Sequence, residues 1–131
     1  MRLIQQDEFD AQVLFFDWFR QSYPDVLMFM SLNGIRMNIG QAMKAKRSGM
    51  MKGVPDLEVP GWRLFIEMKK EKGGRNKAHQ KLVQQYLIAN GYTVMVCRGY
   101  EDAVKDIEEF VSLYPDTIKN HVSTVGDWYD S

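Results

Sequence analysis

Asp56, Glu67 and Lys69 are the residues of this chain whose types and spacing could do chemistry together. They lie on two stretches, Asp56 to Val59 and Trp62 to Lys69, that flank the turn pair Pro60-Gly61 and so read as a β-hairpin. The second stretch alternates, with Trp62, Leu64, Ile66 and Met68 on one side and Arg63, Phe65, Glu67 and Lys69 on the other. If Pro60 and Gly61 form the loop, Val59 faces Trp62 and Asp56 falls opposite Phe65. Asp56, Glu67 and Lys69 then emerge on one face, with the two carboxylates as diagonal neighbours about 7 to 8 Å apart at the backbone. A two-residue Pro-Gly loop is not the preferred hairpin type. A four-residue loop would keep this parity and an odd count would break it.

Two carboxylates beside a lysine suit a hard divalent cation. Such an ion takes oxygen ligands, commonly one or two carboxylates, and completes its shell with water and phosphate oxygens. It can lower the pKa of a water and neutralise charge on a phosphate under attack, while the lysine holds water or phosphate as a point charge. Taken alone, a Glu-x-Lys pair on a strand is an ordinary surface ion pair worth little.

Other elements must position these residues. Residues 6–20 read as a helix with acidic residues in its first turn and Arg20 in its last. Glu8 and Gln12 fall in line with Phe15, Phe16 and Phe19 on its inward face. Val26 to Met30 reads as a short buried strand, Asn33-Gly34 as a turn, and residues 39–48 as a basic helix stopping near Gly49. Gly73-Gly74 breaks the chain before a helix from about Lys77 to Asn90, stopped by Gly91. Tyr92 to Cys97 is a strand, and Glu101 to Leu113 an amphipathic helix. This order predicts an α/β fold with a central mixed sheet flanked by helices. Residues 1–113 read as one domain and residues 114–131 as a polar tail or partner arm.

The bulk composition sets outer bounds. A chain of 131 residues with 45% apolar content fits one compact domain. Its one cysteine, Cys97, excludes an intrachain disulfide and suits a reducing compartment. No apolar run reaches membrane-spanning length, and the acidic start MRLIQQDEFD is unlike a signal peptide, so the expected setting is cytoplasmic. The formal net charge of zero conceals a segregation: residues 36–81 carry twelve Lys or Arg against four Asp or Glu, whereas residues 82–131 carry three against eight. A basic middle can face phosphates while the rest stays acidic. Lys44, Lys46, Arg47, Lys52, Lys70, Lys72, Arg75 and Lys77 are the candidate phosphate contacts, with solvated surface as the plainer reading.

The segments around the hairpin carry more than an isolated pair. Gly53-Val54-Pro55-Asp56-Leu57 followed by Ile66-Glu67-Met68-Lys69 resembles the PD-(D/E)XK nuclease motif in the literal form P-D…E-x-K. The match resembles most the VRR-NUC (virus-type replication-repair nuclease) family, with Glu8, Asn33-Gly34, Gln80, Gly91, Asp102-Ala103 and Ile107 in corresponding order. The likeness runs from about residue 6 to residue 110 and leaves the segment from Tyr114 unaccounted for. It implies a restriction-endonuclease-like fold and a Mg²⁺- or Mn²⁺-dependent phosphodiesterase acting on DNA. By the same resemblance, Asp56 and Glu67 would ligate the metal, with the Met68 backbone carbonyl as a further ligand. Lys69 would position the attacking water, Gln80 would support the lysine or phosphate, and Glu8 would reach in from the first helix. Stand-alone viral members are similar to Holliday junction resolvases and act as dimers, so a homodimer, in a phage-infected bacterium, is the implied setting.

Other residues have plainer readings. His79 edges the site, His121 lies in the tail, Cys97 is a small core residue, and the nine methionines fill gaps. The rival function is a nucleic-acid-binding domain that keeps a nuclease fold without cleaving, and a second is a structural subunit whose acidic surfaces bind protein. Both leave two converging carboxylates beside a lysine without a use.

Overall fold

The computed structural model describes residues 8–31, 35, 37–70, 72 and 77–114, without the side chains of residues 8 and 9. The elements in order are α1 (Glu8–Ser22), β1 (Phe29–Met30), α2 (Ile39–Arg47), β2 (Leu57–Val59), a 3₁₀ turn (Pro60–Trp62), β3 (Leu64–Lys69), α3 (Ala78–Ala89), β4 (Thr93–Arg98) and α4 (Tyr100–Leu113). The strands form one mixed sheet in the order β1-β2-β3-β4. Its first two pairings are antiparallel, and β3 pairs with β4 in parallel. That parallel pair needs a crossover, which α3 supplies.

β3 is the strand on which the fold turns. All six of its residues are buried, because it has a strand on each side and packing on both faces. Leu64, Ile66 and Met68 join the main core with Ala11, Phe15 and Phe19 of α1, Leu57 and Val59 of β2, Cys97 of β4, and Ala103, Ile107 and Phe110 of α4. Phe65, Glu67 and Lys69 alternate to the opposite face. Phe65 packs there on Tyr92, with ring centroids 5.3 Å apart. Along β3 one face is therefore apolar, and the other turns polar toward the C-terminal end of the strand.

The hairpin differs from its expected form in one respect. Its loop holds four residues, 60–63, so Val59 pairs with Leu64 and Leu57 with Ile66. Trp62 leaves the strand and fills the core, with its rings 5.4 Å from Phe19, 5.2 Å from Tyr23 and 5.7 Å from Phe110. Arg63 takes the left-handed conformation (φ 50°) that closes the loop. Its side chain donates to the carbonyls of Asn90 and Gly91 and lies over the Tyr92 ring, tying this turn to the α3–β4 turn. The parity of the hairpin survives, because the loop is longer by two residues and not by one.

Residues 26–30 do not form a fully buried strand. Only Phe29 and Met30 pair, at the sheet edge, with Val26 and Met28 buried before them and Phe29 exposed. In α1, Phe15 and Phe19 are fully buried, and Phe16 and Trp18 pack against the core. A cleft of about 350 Å³ remains between Gln12, Val13, Phe16, Asp17, Phe29, Met30 and Leu57. The turn at Asn33-Gly34 and the tail beyond Tyr114 lie outside the described residues. No helix among the described residues is long and apolar enough to cross a membrane.

Cys97 is buried in the core, where its thiol donates to Asp106 Oδ2 at 3.3 Å. Burial first, and then this carboxylate, push its pKa far above the ordinary thiol range. It is the inert core residue that its place in a strand suggested.

Candidate active site

The four-residue loop moves Asp56 two positions along β3. One step beyond the last paired residues, Leu57 and Ile66, the register sets Asp56 directly opposite Glu67. The two carboxylates therefore start closer than the diagonal arrangement that a two-residue loop would give. Asp56 is fixed from both sides: its Oδ2 accepts from the Met68 backbone N–H at 2.7 Å, and its carbonyl accepts from Ser31 N at 2.7 Å. The second bond extends the β1–β2 pairing by one residue past the strand end.

Glu67 and Lys69 occur two apart on the polar face of β3 and are only 4% and 5% exposed. They are not solvent-facing, because α3 lies over this face. Lys69 Nζ stands 3.6 Å from Glu67 Oε1 and donates to Gln80 Oε1 at 2.8 Å. Gln80 Nε2 in turn donates to Glu67 Oε1 at 3.3 Å. The same Gln80 oxygen accepts from Lys77 N at 3.0 Å, which occupies one of the unpaired N–H groups at the start of α3. One amide thus locks the helix start, the lysine and the carboxylate into a single unit. A glutamine suits the task because it offers an acceptor to Lys69 and a donor to Glu67 at once.

Gly53 explains how the chain reaches Asp56. It is buried with φ +91°, and a Cβ there would lie 2.7 Å from His79 Cδ2 and 3.3 Å from the His79 carbonyl oxygen. The approach to Asp56 thus passes against the first turn of α3, next to Gln80. Gly53→Ala is expected to cost about 1 to 3 kcal/mol in stability, from the positive φ and the clash combined. Because relief of the clash must move His79 and its neighbour, the variant should also show weakened Gln80 contacts. Urea unfolding checks the first, and any change in the amide signals of Gln80 checks the second.

The sequence-predicted residues divide as follows. Asp56, Glu67, Lys69 and Gln80 converge. Glu8 is the first residue of α1, but its side chain lies outside the described residues, as does Arg75. Lys44, Lys46, Arg47, Lys52, Lys70, Lys72 and Lys77 are exposed. His79 contributes a packing surface for Gly53 and stays at the margin. Two polar residues on this side were not anticipated. Gln84, one turn after Gln80, is the buried residue of α3, and its i+4 spacing from Gln80 was the available signal. Glu58, two residues past Asp56 on the same face of β2, has its carboxyl pKa raised by burial.

Among the described residues no group of three or more His, Cys, Asp or Glu side chains gathers to hold an ion. The pair of Asp56 and Glu67 is nonetheless a fitting donor set for a hard cation, which needs one or two carboxylates and otherwise binds water and phosphate oxygens. A soft or structural metal does not fit, since neither thiolate nor imidazole joins the pair.

This sheet, with its helices on both faces, is a known architecture. Among solved structures, a VRR_NUC domain protein superposes with a TM-score of 0.67, covering 84% of this chain and 92% of its own length at 23% sequence identity. The chain has the fold of a VRR_NUC domain protein, and the resemblance read from the motif spacing holds at the level of the fold. No protein-family model and no curated protein matches the chain by sequence.

Proposed function

We propose that this chain belongs to the VRR-NUC nucleases and is a Mg²⁺- or Mn²⁺-dependent phosphodiesterase acting on DNA, with a preference for branched structures such as junctions or flaps. The observation that carries the reading is the unit of Asp56, Glu67, Lys69 and Gln80, held on the fold of a VRR_NUC domain protein. A domain that only bound DNA would gain nothing from two carboxylates placed where phosphates must come.

Asp56 and Glu67 would hold the cation, with the Met68 carbonyl as a further oxygen and Glu8 reaching in from α1. The bound ion supplies charge neutralisation at the scissile phosphate and acidifies a water. Lys69, held by Gln80, orients that water or a phosphate oxygen from a fixed position, so little reorganisation is needed at reaction. Gln80 keeps the ammonium from collapsing fully onto Glu67. Lys70, Lys72, Arg75 and Lys77 follow β3 and grip flanking phosphates. Cutting a two-fold-symmetric junction takes two such sites, which a symmetric homodimer supplies.

The test is cleavage of end-labelled duplex, flap and four-way-junction DNA with Mg²⁺ or Mn²⁺, and with both chelated. Cleavage that needs the metal and favours branched DNA is expected. Tight DNA binding without cleavage under any divalent ion would establish the non-cleaving alternative.

A further inference from the structure

α2 is built the wrong way round for a helix that serves only the fold. Its nine residues contribute nothing to the buried core. The partly buried positions are Ala42 and Ala45, which turn toward the protein. Its two large apolar residues, Ile39 and Met43, one turn apart, face outward and are 80% and 61% exposed. At about 100° per residue, Lys46 and Arg47 fall on the same outer face and Lys44 beside it. A helix this short is marginal in water by itself. Here it is set by a capping box, in which the Asn38 side chain accepts from Gln41 N at 2.8 Å and the Gln41 side chain from Asn38 N at 3.1 Å. The sequence thus shapes a helix and then places its apolar side chains on the outside.

The chemistry of what would cover this face is narrow. Residues 36–55 contain five Lys or Arg and no Asp or Glu. An apolar pair ringed by cations fits a surface that is anionic and offers apolar faces between its charges. Nucleic acid has both, in its phosphates and its base faces. In a continuous duplex the base faces are stacked, and opening a step costs a few kcal/mol, whereas at an interruption they are already exposed. In sequence, α2 precedes Gly53, which lies against the first turn of α3, and Asp56 follows three residues later.

We propose that α2 is a wedge for interrupted DNA: Ile39 and Met43 pack on base faces exposed at a fork or junction, while Lys44, Lys46 and Arg47 hold the adjoining phosphates. This rests on the reading of the chain as a DNA-acting domain and assigns the source of its structure preference. Shape selection then comes from two apolar side chains and overall affinity from the basic ones.

The experiment measures binding of the full chain to labelled forked DNA and to a continuous duplex of equal length, in Ca²⁺ without Mg²⁺ or Mn²⁺. Ile39→Ser/Met43→Ser is expected to weaken fork binding about tenfold and duplex binding less than about twofold, with the salt slope unchanged. Lys44→Glu/Lys46→Glu/Arg47→Glu should weaken both and flatten the slope by roughly three. Met43→Phe, a single change at an exposed position, should strengthen fork binding alone and covers the case of a poorly folded double variant. Equal effects on fork and duplex, or none, would overturn the wedge. So would unchanged fork binding together with loss of self-association in the serine variant, which would assign this face to a second copy. Selective fork binding without metal-dependent cleavage would leave the wedge standing and remove the nuclease reading, so the two fail separately.

Discussion

Replacing Glu67 by Gln is expected to lower metal-dependent DNA cleavage by roughly a thousandfold or more while DNA binding stays within a few-fold of the parent. The substitution keeps size and hydrogen-bonding capacity at a site only 4% exposed, so the loss is one of charge and not of packing. The substituted amide can still accept at one atom from Gln80 Nε2, whose bond to Glu67 Oε1 is 3.3 Å in the parent. What disappears is half of the anionic pair opposite Asp56, and with it the proposed cation. A metal that neutralises a phosphate under attack supplies several kcal/mol, which is on the order of three powers of ten in rate. Thermal unfolding gives a second reading that needs no turnover. Mg²⁺ or Mn²⁺ should raise the melting temperature of the parent, because an ion that binds only the folded state stabilises it by mass action. The rise should vanish in the variant. Undiminished cleavage by Glu67→Gln would end the mechanism proposed here, whatever the fold.

The convergence of Asp56, Glu67 and Lys69 was legible because strand parity is arithmetic. Any even loop leaves the three on one face, and the observed loop of four differs from two by an even step. The partner of Asp56 across the ladder was not legible, because the loop type depends on Trp62 finding a pocket among Phe19, Tyr23 and Phe110. Those residues come from segments distant in sequence, so no local rule contains the answer. The β4 and α4 boundaries fell within a residue of their expected positions, since Gly91 and Gly99 punctuate them at positive φ. The strand expected over residues 26–30 shrank to two residues because apolar content reports burial and not ladder pairing. The depth of the site was the main thing hidden. Nothing in Glu67-Met68-Lys69 says that α3 will cover it; that follows only once Gln80 is seen bonding both side chains across the face of the sheet.

That depth makes a second large effect expected, this time on stability. In an exposed site Lys69 could be removed at little cost, since surface pairs contribute at most about 1 kcal/mol. Here its side chain is 6% exposed and that of Glu67 5%, with Nζ and Oε1 3.6 Å apart. Removing one partner leaves the other charge buried against a low-dielectric surround, a change that costs about 3 to 5 kcal/mol in comparable pairs. Gln80 Nε2 still reaches Glu67 and softens the loss, so Lys69→Met is expected near the lower end, about 3 kcal/mol. The freed Gln80 oxygen keeps its bond to Lys77 N, so the start of α3 should hold. Urea unfolding in chelator measures the effect as a lower midpoint with an unchanged slope. Adding Glu67→Gln to Lys69→Met should return a good part of the loss, because the stranded carboxylate is then neutral. A divalent ion should also return part of it in the single variant, by supplying the positive charge that the lysine gave. If Lys69→Met cost less than about 1 kcal/mol in chelator, the pair would behave as solvated. The cover that α3 places over Glu67 and Lys69 would then not exist in solution.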